Sequence, residues 1–191
     1  MPLSIRLAHA DDAAGCLEIY RPAVLTGAIS FEITVPDLTE MEARIAGTLA
    51  AHPWLVSDDA GGVTGYAYAG PHRSRGAYQW CAEVSVYVRE DARRRGLASA
   101  LYTAVFQCLR HQGYYNAYAG VTLPNPASVA FHESMGFIPV GVYRAIGYKF
   151  DRWHDVGWWS LRLGYGDAPP TPPIPLAACR DELAALLGGG A

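Results

Sequence analysis

The chain has 191 residues, 51% of them hydrophobic and 17% charged, with a formal net charge of -3. This length and apolar content predict one compact domain with a sizeable core and exclude global disorder. The mild negative charge argues against a general nucleic-acid binder. No run approaches the roughly 18 uninterrupted apolar residues that span a bilayer, and the first residues lack a basic region followed by an apolar run, so we expect a cytoplasmic protein.

In the first third of the chain, hydrophobic periodicity and turn residues predict the order strand, helix, helix, strand, strand. These elements are residues 3–8, a helix that Asp11 and Asp12 cap, 38–50, 54–56 and 63–69. Pro22 interrupts the chain after the first helix, so a loop is expected over 26–36, with a brief extended piece at 29–31. Thr39 and Glu42 resemble a capping box for the second helix.

The remainder predicts four more strands, two helices and a tail. The strands are 78–88, 114–122, 137–150 and 156–163, and the helices are 97–110 and a shorter one that Asn125-Pro126 opens and Gly136 closes. Alternating strands and helices predict a single α/β or α+β domain with a mixed sheet over residues 1–164. Five prolines within 169–175 make 165–191 an extended, Pro-rich tail, with a candidate short helix at 180–187.

The four cysteines are far apart in the sequence and show neither the paired spacing of a zinc site nor a C-x-x-C redox motif. They are Cys16, Cys81, Cys108 and Cys179. We expect reduced thiols and no metal.

The stretch 83–98 passes from a strand through a basic, glycine-containing turn into the start of a helix. Free N–H groups and the positive dipole end of a helix hold phosphate in this arrangement. Gly96 lets an anion approach the main chain, Ala98 keeps the first turn small, and three arginines at 93–95 add positive charge. Taken alone, such a charge run is more typical of a solvated loop.

Two motifs resemble the GCN5-related N-acetyltransferase (GNAT) superfamily. Arg93-x-x-Gly96-x-Ala98 is similar to its acetyl-CoA pyrophosphate loop, and 125–137 is similar to its later motif, an Asn that opens a helix closing in Gly-Phe. The resemblance implies an acetyl-CoA-dependent N-acetyltransferase with a mixed, mostly antiparallel, splayed sheet and flanking helices. The residues it assigns to acetyl-CoA are Val86, Tyr87, Val88, Arg93, Arg94, Arg95, Gly96, Leu97, Ala98, Asn125 and Ser128.

Asn125, Ser128 and His132 are separated by three and four residues, so they share one helical face. That face is expected to meet the pantetheine arm and the sulfur of the cofactor. His132 occupies the position where many family members carry a tyrosine that protonates the departing thiolate, and an imidazole is able to do so near pH 7. A histidine packed within the fold explains the residue equally well.

Four separated segments resemble a narrower branch, the phosphinothricin and methionine sulfoximine acetyltransferases. They are residues 29–32, 70–78, 82–88 and 147–156. The resemblance implies an acceptor that is a small amino acid with a carboxylate and a tetrahedral phosphorus or sulfur group, direct transfer without an acyl-enzyme, and a homodimer. It also implies that the backbone N–H groups of Tyr87 and Val88 donate to the thioester oxygen.

Glu83 is the best candidate for the base that takes the acceptor's ammonium proton. Strand alternation puts it on one face with Ser85 and Tyr87, and a carboxylate in an apolar strand is costly unless it is paired, solvated or functional. A structural carboxylate remains the alternative. On the acceptor side, two arginines are suited to an anionic group; the candidate acceptor residues are Phe31, Glu32, Arg73, Arg75 and Tyr78.

Two rival hypotheses remain open. One keeps the fold and changes the acceptor to a polyamine, another antibiotic-like amine or a protein N-terminus, although Arg73 and Arg75 favour anions where a polyamine needs an acidic pocket. The other is a non-catalytic acyl-CoA-binding or dimeric module, against which the presence of both Glu83 and His132 speaks.

Overall fold

A computed structural model of the chain describes residues 4–164 and 170–188. Its centre is one seven-stranded sheet with the strand order β1-β2-β3-β4-β5-β7-β6. The strands are β1 Ile5–Leu7, β2 Trp54–Asp59, β3 Gly62–Pro71, β4 Cys81–Val88, β5 Asn116–Leu123, β6 Ile138–Lys149 and β7 Arg152–Arg162. Neighbouring strands are antiparallel except for β4 and β5, which are parallel. The predicted mixed, mostly antiparallel α/β fold is confirmed.

The helices flank this sheet and follow the predicted order. They are α1 Ala13–Leu25, α2 Leu38–Leu49, α3 Leu97–Gln112, α4 Pro126–Ser134 and α5 Arg180–Gly188. Within residues 4–164 and 170–188, none of the helices combines the length and the apolar character needed to cross a bilayer.

Two local predictions in the first helices are wrong. Helix α1 continues through Pro22 to Leu25, because burying Tyr20 and Val24 against the sheet outweighs the hydrogen bond that proline removes. The cap of α2 is Asp37, whose carboxylate accepts from the N–H of Glu40 at 2.8 Å. A side chain that accepts from an N–H of the first turn satisfies a donor that the helix leaves free.

The loop between α1 and α2 runs without any strand. The brief extended piece expected at 29–31 does not pair with the sheet, and hydrogen bonds to Ser30 hold this part of the chain instead. The Ser30 hydroxyl lies 2.6 Å from the Tyr20 hydroxyl and accepts from the N–H of Glu32 at 3.1 Å.

Strands β4 and β5 separate shortly after they meet. They pair only from Cys81 to Glu83, opposite Asn116 to Tyr118, although β4 continues to Val88. Beyond Glu83 the facing edges of β4 and β5 no longer pair with each other, and the sheet is splayed as expected.

The two faces of the sheet differ in side-chain size. On the face towards α3, β3 contributes Gly65, where an added Cβ would lie 3.2 Å from the side chains of Leu97 and Leu101. On the opposite face, rings from β3 and β4 meet α1, with Tyr87 5.2 Å from Tyr20. The register places Glu83 and Ser85 on this second face together with Tyr87, as strand alternation predicted.

The described part of the tail packs against the rest of the chain. Leu183 of α5 is completely buried, the indole of Trp80 donates to the carbonyl of Thr171 at 2.8 Å, and the Gln112 amide donates to the Ile174 carbonyl at 2.8 Å. The short helix predicted at 180–187 is present as α5. Residues 165–169, at the expected start of the tail, lie outside the described residues.

Candidate active site

The turn between β4 and α3 leaves backbone amides open at the helix N-terminus. Gly96 adopts a left-handed conformation with φ 77°, as does Arg94 with φ 61°. The first intrahelical bond runs from the N–H of Ala100 to the carbonyl of Gly96 at 3.0 Å, so the preceding amides of the first turn have no partner within the helix.

A cavity of about 200 Å³ lies at this helix end. Its lining residues are Val88, Ala92, Arg93, Arg94, Gly96, Leu97, Ala98, Ser99 and Phe131. A Cβ built on Gly96 meets nothing within 4 Å, so an anion reaches the main chain here without obstruction. Open amides, a helix dipole and arginine side chains are the donor set that a diphosphate requires, and acetyl-CoA carries a diphosphate.

Three residues that line this cavity were not predicted. The amide of Ser99 belongs to the same first turn as those of Leu97 and Ala98, and the capping rule alone would have identified it. Ala92 lies in the short helical turn Glu90–Ala92 before the arginines. Phe131 comes from α4, and no local signal in the sequence indicates that it reaches this cavity.

The gap between β4 and β5 presents further amides. In the β3–β4 ladder, the bonds from Arg89 N–H to the Thr64 carbonyl and from His72 N–H to the Cys81 carbonyl fix which residues pair. Because hydrogen-bonded and non-bonded pairs alternate in an antiparallel ladder, the amide of Tyr87 points to β3. The amides of Val86 and Val88 point into the gap. The register therefore agrees with the predicted donor at Val88 and contradicts the one at Tyr87.

Helix α4 is capped as the sequence suggested. The Asn125 side chain accepts from the N–H of Ser128 at 3.1 Å, and Pro126 is the first helical residue. The Ser128 hydroxyl lies 3.4 Å from Nδ1 of His132. Both residues expected beside the pantetheine arm thus make local contacts within α4, and both are half-buried.

His132 lies inside the fold and both of its ring nitrogens are engaged. It is 6% exposed. Its Nδ1 is 2.7 Å from the Ser128 carbonyl, which only accepts, so Nδ1 carries the proton. Its Nε2 is 3.2 Å from the Tyr102 hydroxyl, and burial lowers the pKa of the imidazole. A neutral ring that already donates from Nδ1 has no proton to give from Nε2, so the geometry favours the packed-residue interpretation over the acid.

Glu83 lies on the other face of β4, at the point where β4 and β5 separate. Its side chain is 39% exposed. Burial raises the pKa of its carboxyl group, and the positive charge of Arg73 partly opposes this rise. A carboxylate whose pKa moves towards neutrality is suited to accept a proton near pH 7.

Of the two arginines predicted to bind the acceptor, Arg73 is the one that lies near Glu83. Its guanidinium lies 5.6 Å from the centre of the Trp158 ring and donates to the Tyr143 hydroxyl at 3.4 Å. Arg75 and Tyr78 are exposed. The N–H of Tyr78 donates to the Arg75 carbonyl at 2.9 Å, a local main-chain bond within the loop.

Phe31 and Glu32 lie farther along the same face and are held by other segments. The Phe31 ring packs so closely on the main chain of Gly147 that a Cβ there would overlap it. The Glu32 carboxylate accepts from Arg44 at 2.6 Å, so its charge is already compensated.

Lys149, at the end of β6, fixes the loop that carries Phe31. Its ammonium group donates to the carbonyl groups of Val24 at 2.6 Å, Ser30 at 2.8 Å and Gly27 at 3.0 Å. The residue is 6% exposed. This one side chain joins the β6–β7 hairpin to the C-terminal end of α1, where carbonyl groups have no helical partners.

A larger cavity of about 480 Å³ lies beneath α2, away from the α3 N-terminus. Its aromatic lining comes from Tyr20, Trp54, Tyr66 and Tyr68. It extends to Gly70, the cross-strand neighbour of Glu83. It therefore borders the region of Glu83 and lies away from the cavity at the α3 N-terminus.

Among the described residues, no group of three or more His, Cys, Asp and Glu side chains is arranged to hold a metal ion.

Comparisons with known proteins match the sequence and the fold of this chain. Residues 5–158 match the family described as "Acetyltransferase (GNAT) domain". The chain is 37% identical over 182 residues to a phosphinothricin N-acetyltransferase of Streptomyces viridochromogenes, covering 92% of this chain and 95% of that protein. It is 36% identical over 168 residues to an L-methionine sulfoximine/L-methionine sulfone acetyltransferase of Salmonella typhimurium, covering 87% and 98%.

A similar structure has also been solved. The crystal structure of a phosphinothricin acetyltransferase from Sinorhizobium meliloti in complex with acetyl-CoA superposes with a TM-score of 0.84 at 34% identity, covering 90% of this chain and 94% of that chain.

Proposed function

The chain belongs to the GNAT acetyltransferase family, and we propose that it acetylates the α-amine of a small amino-acid-like acceptor such as phosphinothricin, methionine sulfoximine or methionine sulfone. As a member of that family it is an acetyl-CoA-dependent N-acetyltransferase. The observation that carries the acceptor class is the position of Arg73. It follows His72, whose Nδ1 lies 3.6 Å from Oε2 of Glu83, and its guanidinium lies 5.6 Å from the centre of the Trp158 ring that His72 also meets. One cation is available for the acceptor's anionic group and one carboxylate for its ammonium.

Acetyl-CoA, when bound, supplies the acetyl thioester. The open amides of Leu97, Ala98 and Ser99, with the arginines of the turn, are the groups that would hold its diphosphate. The N–H groups of Val86 and Val88 face the gap between β4 and β5, where they would donate to the thioester oxygen.

On the acceptor side, Glu83 takes a proton from the ammonium group, and the uncharged amine becomes the nucleophile. Arg73 holds the acceptor's carboxylate, phosphinate or sulfone oxygens through charge-assisted hydrogen bonds. Because the carboxylate activates the acceptor itself, the proposal is direct transfer in a ternary complex without an acyl-enzyme. His132 packs α4 against Tyr102 and has no role in proton transfer in this scheme.

We further propose that the protein is a homodimer that acts in the cytoplasm. Strand β6 is the edge of the sheet and exposes a row of apolar side chains, and a long exposed apolar edge is a surface that pairs with another chain. Its exposed apolar residues are Ile138, Val140, Val142, Tyr143, Ile146 and Tyr148. The four free cysteines fit a reducing compartment.

An acceptor panel with acetyl-CoA and detection of the released thiol tests the substrate class. We expect phosphinothricin, methionine sulfoximine and methionine sulfone to be acetylated with a higher kcat/KM than spermidine or a peptide with a free N-terminus. Preference for spermidine or the peptide would overturn the acceptor class. Binding of acetyl-CoA without transfer to any amine would instead support a non-catalytic module.

The role of Glu83 is tested by Glu83→Gln across pH. Burial raises the pKa of Glu83, so wild-type kcat/KM should fall as the pH drops through this pKa, because a protonated carboxyl cannot accept a proton. The variant should lose about a hundredfold at neutral pH and recover partly at high pH, where more free amine exists. Glu133→Gln on α4 is the matched control and should keep the wild-type profile. An unchanged profile in Glu83→Gln would contradict the assignment.

A further inference from the structure

His72 is packed beside Glu83 with one ring nitrogen unsatisfied. The imidazole stacks on Tyr118, with ring centres 4.3 Å apart and planes 11° apart, and meets Trp158 edge-on at 5.5 Å. Its Nδ1 is buried and has no hydrogen-bond partner within the described residues. A buried nitrogen without a hydrogen-bond partner has lost its contact with water and gained nothing in return, so its presence calls for an explanation.

The nearest carboxylate oxygen to that nitrogen is Oε2 of Glu83, at 3.6 Å. This separation is longer than a hydrogen bond, and a shift of about 0.6 Å would bring the pair into range. The main chain of His72 is fixed to the start of β4 by its bond to the Cys81 carbonyl, and the Tyr118 ring fixes the imidazole plane. The carboxylate of Glu83, which is partly exposed, is the partner that is able to move.

The charges around the pair determine which proton is available. Burial and the neighbouring Arg73 both lower the pKa of His72, so its ring is neutral near pH 7 and carries a single proton. Among the described residues, the phenols around the pair are Tyr68 on β3, Tyr118 on β5 and Tyr143 on β6. Tyr102 on α3 also interacts with the charge of Glu83, and burial raises its pKa, so it stays uncharged. Burial raises the pKa of Tyr68 and Tyr118, so these two stay uncharged. Arg73 supplies the positive charge and Glu83 the negative charge.

We propose that His72 is a positioning residue for Glu83, whose Nδ1–H donates to Oε2 of the carboxylate once the acceptor is bound. This inference rests on the proposed function, in which Glu83 is the base. The hydrogen bond stabilises the ionised carboxylate against the cost of burial and holds it in one orientation. The ammonium proton passes to Glu83 and leaves through its exposed edge to solvent, while His72 keeps its own proton throughout.

Three substitutions separate this role from simple packing. His72→Asn places an amide N–H where Nδ1 lies, His72→Gln places the same amide farther out, near Nε2, and His72→Phe keeps a ring on Tyr118 without any donor. We expect His72→Phe and His72→Gln to lower kcat/KM about tenfold. We also expect them to move the acidic limb of kcat, which reports the acceptor-bound enzyme, to higher pH by about one unit, because the carboxylate loses a stabilising donor. His72→Asn should stay within about threefold of wild type.

The dissociation constant of acetyl-CoA should be unchanged in all three variants, which shows that each remains folded. Equal behaviour of the Asn and Gln variants, or an acidic limb that stays in place in His72→Phe, would overturn the inference. Nitrogen NMR of His72 in the wild-type chain gives a readout that needs no turnover. We expect the proton on Nδ1 in the presence of a saturating acceptor, and a proton on Nε2 there would contradict the proposal.

Glu83→Gln distinguishes a failure of the proposed role of Glu83 from a failure of the inference about His72. If that substitution leaves the acidic limb in place, the proposed role of Glu83 fails and the role of His72 fails with it. If the limb disappears in Glu83→Gln but does not move in His72→Phe, only the inference about His72 fails. When both hold, adding His72→Phe to Glu83→Gln should cost no further activity, because the two residues act through one carboxylate.

Discussion

The proposed diphosphate side and the proposed acceptor side of the site are built in different ways. The diphosphate side comes mainly from one continuous stretch, from Val86 at the open edge of β4 to Ser99 in the first turn of α3, and its donors are main-chain amides. The acceptor side is assembled from the loop before α2, the loop before β4 and the β6–β7 hairpin, and it depends on side chains such as Arg73 and Lys149. The first side should therefore be sensitive to backbone conformation and the second to side-chain chemistry.

The largest expected effect is at Gly96 on the diphosphate side. Gly96→Val forces a β-branched side chain into a left-handed conformation with φ 77° and covers the amides that face the cavity. We expect the acetyl-CoA dissociation constant to rise about a hundredfold, which corresponds to about 2.7 kcal/mol. Isothermal titration calorimetry measures it.

Gly113→Val is the control for that substitution. Gly113 also has a positive φ, 91°, but ends α3 at the other terminus. The Gly113→Val substitution should lower the free energy of unfolding by a similar amount and leave acetyl-CoA binding intact. Equal losses of binding in both variants would show that general destabilisation is responsible, and not the loss of access to the open amides at the α3 N-terminus.

On the acceptor side, Lys149→Met should have the next largest effect. It leaves three carbonyl groups without their charged donor and lowers the free energy of unfolding by about 2 kcal/mol. As the loop loosens, kcat/KM for the acceptor should fall about thirtyfold while acetyl-CoA binding changes little. Urea unfolding and steady-state kinetics measure the two effects. A loss confined to acetyl-CoA affinity would contradict the division between the two sides.

Arg73→Ala tests a single charged contact on the acceptor side. Loss of the guanidinium should raise KM for an anionic acceptor about tenfold, the value of one charge-assisted contact of about 1.4 kcal/mol. Arg75→Ala is the matched control from the same loop, because Arg75 is exposed and lies outside the cluster. Its KM should change less than about twofold. Steady-state kinetics would contradict the assignment if the two variants behaved alike.

The smallest expected effect is at the cap of α4. Asn125→Ala removes the acceptor for the Ser128 N–H and should lower the free energy of unfolding by about 1 kcal/mol. Because the diphosphate amides lie on α3, acetyl-CoA affinity should change only about twofold to threefold. Thermal unfolding and calorimetry measure both. A loss of affinity as large as that of Gly96→Val would place the main cofactor contacts on α4.

The same division explains what the sequence predicts well. The ends of α3 could be located because a glycine at each end is a local sequence signal for a helix terminus. The cap at Asn125 is likewise visible in the local sequence. Contacts between distant segments have no such signal. The bond from Lys149 to Val24 joins residues 125 apart in the chain, and the Tyr102 hydroxyl that engages His132 comes from a different helix.

Some local signals were also overruled by packing or by register. Pro22 is a helix breaker in isolation, yet α1 continues past it because the burial of its apolar face stabilises the helix. The spacing of Tyr87 and Val88 does not reveal which amide faces the gap, because the hydrogen-bonding phase of β4 is set by its pairing with β3. Glu83 could be recognised as unusual in its strand, whereas the unsatisfied nitrogen of His72 beside it needs the folded chain to be seen.

The burial of Lys149 has one more consequence, since it is the single lysine of the chain. A protein that works with a reactive thioester is at risk of chemical acetylation on its own lysine side chains. Here the one candidate amine is enclosed by the fold and bonded to three carbonyl oxygens. The enzyme thus offers its donor no accessible lysine, and lysine-directed labels or cross-linkers should leave the native protein's side chains unmodified.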